Sequence, residues 1–467
     1  AGIGMRLRGR VFRKVVSFSH AELDRFSTAS LITRSTNDIQ QIQMVAVMLL
    51  RMVCYAPILG VGGIIKVIHT RTGMGWIIIV AVILILGLVG TLMKIAMPKF
   101  KLMQTLVDKM NLVSREILTG VPVIRAFSRE KHEEERFDKA NHELMATQIF
   151  TNRVMTFMMP VMMLIMNAIA VAIVWFGSKG IDMGNLQIGD MMAFITYSMQ
   201  IVMSFLMLTM ISVMLPRAGV AAERIEEILH TEPTVLDKEQ VRDEELSGKG
   251  IVAFENVNFR YPGAEEDALS DISFVAEPGK TTAVIGSTGC GKSTMLHLIP
   301  RFYDVTGGRI TIDGIDIREL SQKKLRSLMG FVPQKGVLFS GTIASNIKFA
   351  GEERISDEMM KEAAEIAQAQ EFIESKKEAF ESPVAQGGTN VSGGQKQRLS
   401  IARAIAGRPK IFLFDDSFSA LDYKTDAVLR KALHEKLSDA TVVIVAQRIS
   451  TILHADQTIV LDDGRIA

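Results

Sequence analysis

The sequence predicts two domains, an α-helical transmembrane domain with long cytosolic helical extensions and, after it, an α/β domain. Three observations predict this organisation: uncharged apolar segments in the first half, a charged helical stretch between them, and a strand, glycine loop and helix in the second half. The chain has 467 residues, 48% of them hydrophobic, and its mean hydropathy is +0.23. A chain of this length is too long to fold around a single hydrophobic core, and its apolar fraction is higher than that of an ordinary soluble protein.

The first half contains segments long enough to cross a bilayer. A transmembrane helix needs about 20 consecutive apolar residues, because lipid offers its backbone no hydrogen-bonding partner. Segments without Asp, Glu, Lys or Arg meet this requirement at 73–93, 154–178 and 191–216. A fourth segment contains Arg51 and Lys66, and its shorter uncharged part also suits a buried helix of a soluble protein. With this segment included, the predicted spans are about 44–69, 73–97, 154–178 and 190–216.

The distribution of basic residues supports the fourth span. Lysine and arginine are frequent over 94–153 and sparse in the linkers near Arg71 and Lys179. Cytosolic loops carry an excess of these residues, so the charged stretch is predicted to lie in the cytosol. An even number of spans then also places the basic N-terminal stretch, Arg6 to Lys14, and the second domain on the cytosolic side. The sequence therefore predicts a multi-pass protein of the lipid bilayer.

The charged stretch has the pattern of helices that continue from the spans into the cytosol. A break is predicted at Gly120-Val121-Pro122, because proline and glycine interrupt helices. Such helices would form a contact arm. An ordinary solvated helical loop is the alternative.

Methionines recur at spacings of three, four or seven along the last predicted span. Their flexible thioethers could form an adaptable wall for varied apolar substrates, or they could pack against a neighbouring helix or lipid. The residues are Met192, Met199, Met203, Met207, Met210 and Met214.

These patterns set the predicted domain limits. We predict a transmembrane domain over 1–220, a charged linker over 221–248 and the α/β domain over 249–467, with both domains incomplete at the chain ends. The net charge of +2 does not suggest nucleic acid as a partner. The two cysteines, Cys54 in an apolar segment and Cys290 in the glycine loop, do not suggest a disulfide framework.

The glycine loop has the sequence expected for binding phosphate. A strand pattern over 281–285 leads into the loop, and an amphipathic helical run follows it. Glycines let backbone N–H groups surround phosphate oxygens, Lys292 neutralises negative charge, and the Ser293 hydroxyl can bind Mg²⁺. The predicted nucleotide-binding residues here are Ser287, Thr288, Gly289, Cys290, Gly291, Lys292, Ser293 and Thr294.

A second apolar strand pattern, over 411–414, ends at Asp415. In a P-loop protein a carboxylate at this position contacts the Mg²⁺ of the nucleotide directly or through water. The alternative role of Asp415 is that of a strand-end cap. Together with the glycine loop, the pattern favours a P-loop NTPase over a Rossmann dehydrogenase.

The sequence Val391-Ser392-Gly393-Gly394-Gln395, followed by Lys396-Gln397-Arg398, resembles the signature sequence of ABC ATPases. The resemblance implies an α/β P-loop ABC ATPase domain that binds ATP and Mg²⁺. It also implies that the signature binds the γ-phosphate held by an opposite subunit, which would make Ser392, Gly393, Gly394 and Gln395 nucleotide-binding residues.

The same resemblance implies further roles. Tyr261, in Phe259-Arg260-Tyr261-Pro262, matches the aromatic residue that stacks on adenine, and Gln334 matches the glutamine that reaches Mg²⁺ and the attacking water. The implied Mg²⁺ ligands are Ser293, Gln334 and Asp415. The charged arm is similar to that of ABC exporters, with a coupling helix near Gly120 to Phe127 and a first arm near Phe18 to Asn37.

Two positions depart from the family pattern. Asp416 stands where the family has a glutamate as general base, and Gln447 stands where it has a histidine. The shorter carboxylate is withdrawn by about one bond length, although a base must come within roughly 2.6–3.2 Å of its partner. Glutamine can donate a hydrogen bond but cannot become a cation. The candidate catalytic residues are Asp416, Gln447 and Gln334, in a site expected to bind ATP with little turnover. Gln386 is a third departure, where the family often has a glutamate.

An intact signature beside a degenerate site resembles one subunit of the bacterial heterodimeric multidrug exporters. The resemblance implies a second half-transporter as partner, a cell-membrane location with the nucleotide-binding domain in the cytoplasm, and export of hydrophobic or amphipathic small molecules that are drug-like or lipid-like. A homodimeric exporter and an ATP-gated membrane regulator that does not transport are the alternatives.

Overall fold

The computed structural model describes residues 2–69, 73–351, 353–436, 439–447 and 454–467, except the side chains of 53, 101, 208–214, 216 and 217. The contacts divide the chain into two compact units. One comprises Ala1–Val11 and Ile32–Glu227, and the other comprises Phe12–Leu31 and Ile228–Ala467. The short N-terminal segment that continuity along the chain assigns to the transmembrane domain thus packs within the second unit. The predicted limits 1–220, 221–248 and 249–467 stay a prediction.

Long helices dominate the N-terminal part of the chain. They are α1 (Gly2–Val16), α2 (His20–Arg25), α3 (Thr28–Thr33), α4 (Ile39–His69), α5 (Gly75–Ala126), α6 (Glu130–Asp182) and α7 (Ile188–His230), with a π-helical turn at Arg34–Asp38. Among the described residues, four helical segments are long and apolar enough to cross a membrane: Thr28–His69, Gly75–Ala126, Glu130–Asp182 and Ile188–Met207. Each contains or overlaps one predicted span, so the helical membrane domain is confirmed. The linker at Arg71 lies outside the described residues.

The predicted methionine face lies away from the apolar core of the first unit. Phe194 and Ile201 of α7 are fully buried in that core with residues of α5 and α6. Met192 and Met203 are 60% and 47% exposed. The side chains of Met210 and Met214 lie outside the described residues. Met199 and Met207 are half-buried, so the described part of this face is open at Met192 and Met203 only.

The helix break predicted at Gly120-Val121-Pro122 is wrong. Helix α5 continues through Pro122 to Ala126, and the turn comes at Ser128, whose φ is 51°. Proline removes one amide donor, but it does not end a helix whose neighbouring residues keep helical geometry. The segment expected as a separate coupling helix is therefore the last turns of α5.

Helices α5 and α6 pair along the charged stretch, and whether this pair is a contact arm or a solvated helical connection stays a prediction. Lys109 Nζ lies 2.8 Å from Glu143 Oε2, and Arg136 Nη2 lies 2.6 Å from Glu116 Oε2. Because these ion pairs are exposed, each contributes little, and the apolar contacts between the helices provide most of the stabilisation.

The second unit has the predicted α/β architecture. Its strands are β1 (Val252–Phe259), β2 (Leu269–Ala276), β3 (Thr281–Gly286), β4 (Gly307–Ile312), β5 (Ile315–Asp316), β6 (Met329–Val332), β7 (Gly341–Thr342), β8 (Pro383–Val384), β9 (Ile411–Asp415), β10 (Thr441–Val445), β11 (Gln457–Asp462) and β12 (Arg465–Ile466). Its helices are α8 (Lys292–Leu298), α9 (Gln322–Ser327), α10 (Ile343–Ile347), α11 (Asp357–Ile366), α12 (Gln370–Glu374), α13 (Gly393–Ala406) and α14 (Tyr423–Lys436).

The main sheet positions the candidate site. Its order is β12-β11-β3-β10-β9-β6, with β12 antiparallel and the other pairings parallel. Strands β9 and β10 are buried along their whole length, which explains their unbroken apolar sequences. The carboxyl ends of β3, β10, β9 and β6 share one edge, where parallel α/β sheets bind ligands. A second sheet, β2-β1-β4-β5, is antiparallel.

The segment that leads into β1 is held by one carboxylate. Asp313 accepts hydrogen bonds from the backbone N–H groups of Lys249, Gly250 and Ile251 at 3.0, 2.9 and 2.8 Å. We expect Asp313→Ala to lower the free energy of unfolding by about 1–3 kcal/mol, because three donors lose their acceptor. Thermal unfolding of the purified full chain measures this change.

Asp463→Ala is the matched control. Asp463 has a φ of 44°, close to the 53° of Asp313, so both variants place alanine in left-handed backbone. A difference between them isolates the three hydrogen bonds. Equal destabilisation by the two substitutions would contradict the role of Asp313 as an acceptor.

Candidate functional site

The glycine loop joins β3 to α8 and contains the predicted residues 287–291. Gly286 and Gly291 have φ values of 152° and 99°. A Cβ on Gly286 would lie 2.1 Å from the carbonyl oxygen of Leu461, and a Cβ on Gly291 would lie 2.7 Å from Leu269 Cδ2. Only glycine fits at either position. The loop therefore leads tightly into the N-terminus of α8, where free N–H groups favour a bound phosphate.

Lys292 lies over this loop. Its ammonium group donates to the carbonyl oxygens of Gly286 and Ser287 at 2.9 and 2.6 Å. The side chain is largely buried, so its charge acts in a poorly solvated position, where it can strongly stabilise phosphate oxygens.

Ser293 and Asp415 meet at the end of β9. Ser293 Oγ donates to Asp415 Oδ1 at 2.7 Å, and Asp415 is only 4% exposed. A hydroxyl beside a buried carboxylate suits Mg²⁺, which prefers oxygen ligands and takes the rest from phosphate and water. The pair thus fits the metal that the sequence predicts.

Asp416 brings the predicted catalytic positions together. Its Oδ2 accepts from Gln334 Nε2 at 3.3 Å and from Gln447 Nε2 at 3.0 Å. The residue has a φ of 43°, a left-handed conformation that aspartate adopts more readily than most residues. The side chain is buried. One carboxylate oxygen is thus engaged by two amide groups from the segments that follow β6 and β10.

Tyr261 lies beside the start of α8. Its hydroxyl is 2.9 Å from Thr294 Oγ1, and its ring contacts Phe259 and Tyr303 edge-on, with centroids 4.8 and 5.4 Å away. The partly buried ring is held on two sides, as an adenine platform requires.

The signature residues form the N-terminus of α13. Ser392 caps the helix in a capping box with Gln395. No atom lies within 4 Å of a Cβ built on Gly393, whereas one on Gly394 would lie 3.3 Å from the Ala420 carbonyl oxygen. The exposed helix end therefore has room for an anion at Gly393. Gln397 connects α13 to the Gln334 loop, because its Nε2 donates to the Pro333 carbonyl at 3.1 Å.

Sequence reasoning missed two residues near the site. His297 Nε2 lies 3.6 Å from Asp415 Oδ2, and its position four residues after Ser293 on α8 was the available signal. Arg403 donates to the carbonyl oxygens of Asn346 and Val337 at 2.8 Å, and burial lowers the pKa of its guanidinium to about 10. Because Arg403 bonds backbone carbonyl groups of distant residues, no sequence motif indicates its role.

Comparisons with known proteins match both halves of the chain. Residues 1–205 match the model of the ABC transporter transmembrane region, and residues 269–419 match the ABC transporter model. An uncharacterized ABC transporter ATP-binding protein of Mycobacterium tuberculosis is 43% identical over 468 residues, which cover 100% of this chain and 80% of that protein. An ATP-dependent lipid A-core flippase of Aromatoleum aromaticum is 30% identical, with 100% and 76% covered.

A solved structure extends the likeness to three dimensions. The structure of a bacterial Atm1-family ABC exporter with ATP bound has a TM-score of 0.82 and 27% identity, and the match covers 100% of this chain and 81% of that one. The similarity therefore includes both the membrane helices and the nucleotide-binding domain. The chain belongs to the ABC transporter family, as a membrane-embedded exporter subunit that joins a transmembrane region to a cytoplasmic ATPase domain.

Proposed function

We propose that this exporter subunit holds ATP at its own glycine loop with little turnover and completes a faster site on a second, different half-transporter. The observation that carries the proposal is the environment of Asp416, whose Oδ2 receives both the Gln334 and the Gln447 amide. The pump moves hydrophobic or amphipathic compounds, drug-like or lipid-like, out of the cell.

Two properties of the Asp416 carboxylate account for the slow turnover: its side chain is short, and one of its oxygens is already hydrogen-bonded. The aspartate side chain is one methylene shorter than the family's glutamate, so its carboxylate lies farther from a water at the γ-phosphate. One of its oxygens already accepts two hydrogen bonds. A general base must come within about 2.6–3.2 Å of the group it deprotonates, and it contributes typically 10²–10⁴-fold to the rate. Losing the contact between the base and the attacking water leaves the electrostatic binding of the phosphates largely intact.

Gln447 reinforces this asymmetry. Its amide can donate to phosphate, but it does not carry a positive charge and does not transfer protons. The residue instead points its Nε2 at Asp416, 3.0 Å away. ATP binding by Lys292 and Ser293 is thereby separated from its cleavage.

The intact signature gives the subunit a role in a partner's reaction. Ser392 and Gln395 keep the capping geometry, and the space at Gly393 is open. A helix end with free N–H groups stabilises the charge on a γ-phosphate supplied from outside the chain. In the proposed heterodimer that nucleotide lies on the partner, which supplies the glutamate and the histidine.

The tip of the α5–α6 arm supports a partner as well. Leu118, Val123 and Phe127 are 75%, 60% and 74% exposed. Leu118 also lines a mostly apolar groove of about 540 Å³ between the two helices. Apolar side chains clustered at an exposed tip favour burial against another surface. We assign that surface to the ATPase domain of the partner subunit.

The proposed cycle is alternating access. ATP binds more tightly to the closed pair of ATPase domains than to the open pair, and this differential affinity drives closure. Mg²⁺, when bound, neutralises charge on the phosphates. Lys292 and Ser293 hold the nucleotide, Asp415 orients the serine hydroxyl, and hydrolysis at the partner's site releases the closed state.

The substrate class rests on the outer face of α7. Met192 and Met203 are exposed, and thioether side chains adapt to apolar ligands of different shapes. One relative is named an ATP-dependent lipid A-core flippase, and lipid-like compounds are therefore included in the proposed substrate class. An ATP-gated regulator would share the Asp416–Gln447 arrangement but would not move substrate across vesicles.

The first prediction restores the missing chemistry. The double substitution Asp416→Glu with Gln447→His returns a longer base and a titratable ring. In nanodiscs that contain this chain with its membrane partner, whose own catalytic glutamate is replaced by glutamine, ATP hydrolysis should be at least about 10-fold faster than with the wild-type chain. Phosphate release measures the rate. The same double variant with Lys292→Ala is the control for contaminating ATPases. Brisk hydrolysis by the wild-type chain alone would contradict the proposal.

The second prediction tests the signature in the complex purified with its membrane partner. Gly393→Asp adds a carboxylate where the partner's γ-phosphate would bind, so substrate-stimulated ATPase should fall about 10-fold or more. Gly407→Asp makes the same change at the other end of α13, where no atom lies within 4 Å either, and it should leave the rate within about twofold. Equal rates in the two variants would exclude a role for this signature in the partner's reaction.

A further inference from the structure

The two oxygens of the Asp415 carboxylate have different neighbours. Oδ1 accepts the Ser293 hydroxyl at 2.7 Å, and Oδ2 faces His297 Nε2 at 3.6 Å. Ser293 and His297 lie four residues apart on α8, so they share one face of the helix. The buried carboxylate therefore has a neighbour on each side, and both neighbours come from the same helix.

An aromatic cluster holds the His297 ring in this position. The centroids of Phe302 and Phe331 lie 5.9 and 5.8 Å from that of His297, and the two phenyl rings meet edge-on at 5.4 Å. His20 of α2 stacks on Phe302 with centroids 4.2 Å apart. Ring pairs at these distances have preferred orientations, so a change in one ring favours a change in the next. A continuous set of contacts thus runs from α2 to Asp415.

Helix α2 is itself anchored in the second unit. Asp24 Oδ2 accepts from the Tyr303 hydroxyl at 2.6 Å, and Glu22 Oε1 accepts from the backbone N–H of Thr234 at 3.1 Å. Burial, followed by the charges of His297 and Arg326, lowers the pKa of His20, and Asp24 opposes this shift. A change in the position of α2 therefore reaches Phe302 through the stacking of the His20 ring.

We infer that His297 is a positioning residue for Asp415 and that α2 controls it through His20 and Phe302. The inference rests on the proposed function in one respect, the role of Asp415 toward Mg²⁺. His297 restrains the rotation of the carboxylate, so the same oxygen stays beside Ser293. Because His20 of α2 stacks on Phe302, and Phe302 packs against His297, a displacement of α2 changes the Mg²⁺ dependence of ATP binding before any bond is broken.

The test measures ATP binding to the full chain in nanodiscs, with Mg²⁺ and with EDTA, by isothermal titration calorimetry. In the wild type Mg²⁺ strengthens ATP binding. Loss of a residue that orients a metal ligand typically weakens metal binding 10–100-fold, so His297→Ala should reduce the Mg²⁺ enhancement of affinity by about 10-fold or more while affinity in EDTA stays within about twofold. His297→Asn, which is too short to reach Asp415, gives the same result and serves if the alanine variant does not fold.

The contribution of α2 is tested separately. His20→Ala should reduce the Mg²⁺ enhancement by about threefold, a smaller effect than at His297 because it acts through Phe302. His20→Phe keeps the stacking and should restore the wild-type enhancement. His434→Ala removes an exposed histidine on α14 and controls for nonspecific effects.

The outcomes separate the inference from the proposed function. Wild-type enhancement in His297→Ala, together with its loss in Asp415→Asn, overturns the positioning role and leaves the Mg²⁺ role of Asp415 intact. Full enhancement in Asp415→Asn overturns that Mg²⁺ role and the inference with it. Wild-type enhancement in His20→Ala, with loss in His297→Ala, overturns control by α2.

Discussion

The common edge of four parallel strands is the constraint on which the site depends. Because β3, β10, β9 and β6 are neighbours in this order, the segments that follow them must meet. The glycine loop follows β3, Asp415 ends β9 and Asp416 comes directly after it, and Gln447 and Gln334 follow the other two strands. The apolar, fully buried β9 and β10 fix this edge, since a shift in their pairing would move every group of the site.

At this edge, two adjacent carboxylates have different environments. Asp415 is next to a hydroxyl and a histidine, and Asp416 is next to two amides. The environment of Asp415 suits a metal-binding role. The Asp416 side chain is shorter than that of glutamate, and one of its carboxylate oxygens already accepts two hydrogen bonds. In the proposed subunit, ATP binding and ATP cleavage therefore depend on different side chains. A change at the cleavage position need not weaken binding, so a subunit with this proposed site would retain ATP as a structural ligand of the proposed dimer.

The elements whose patterns are local could be predicted from the sequence. The uncharged spans, the glycine loop and the apolar strand before Asp415 each follow from composition and spacing over a few residues. The helix break at Gly120-Val121-Pro122 was wrong, because the continuation of α5 depends on its contacts with α6 and not on one proline. The contact of His297 with Asp415 and the packing of residues 12–31 in the second unit join distant parts of the chain, and no local pattern encodes such contacts.

In the proposed heterodimer, ATP bound to this chain outlasts the turnover of the pump. Photocrosslinking of radiolabelled azido-ATP to the complex of this chain and its partner, during steady substrate-stimulated hydrolysis, identifies the nucleotide on each subunit. The account predicts that the label on this chain remains a triphosphate through many turnovers, while the partner's label becomes a diphosphate. Conversion of the label on this chain to the diphosphate at the rate of the whole complex would contradict it.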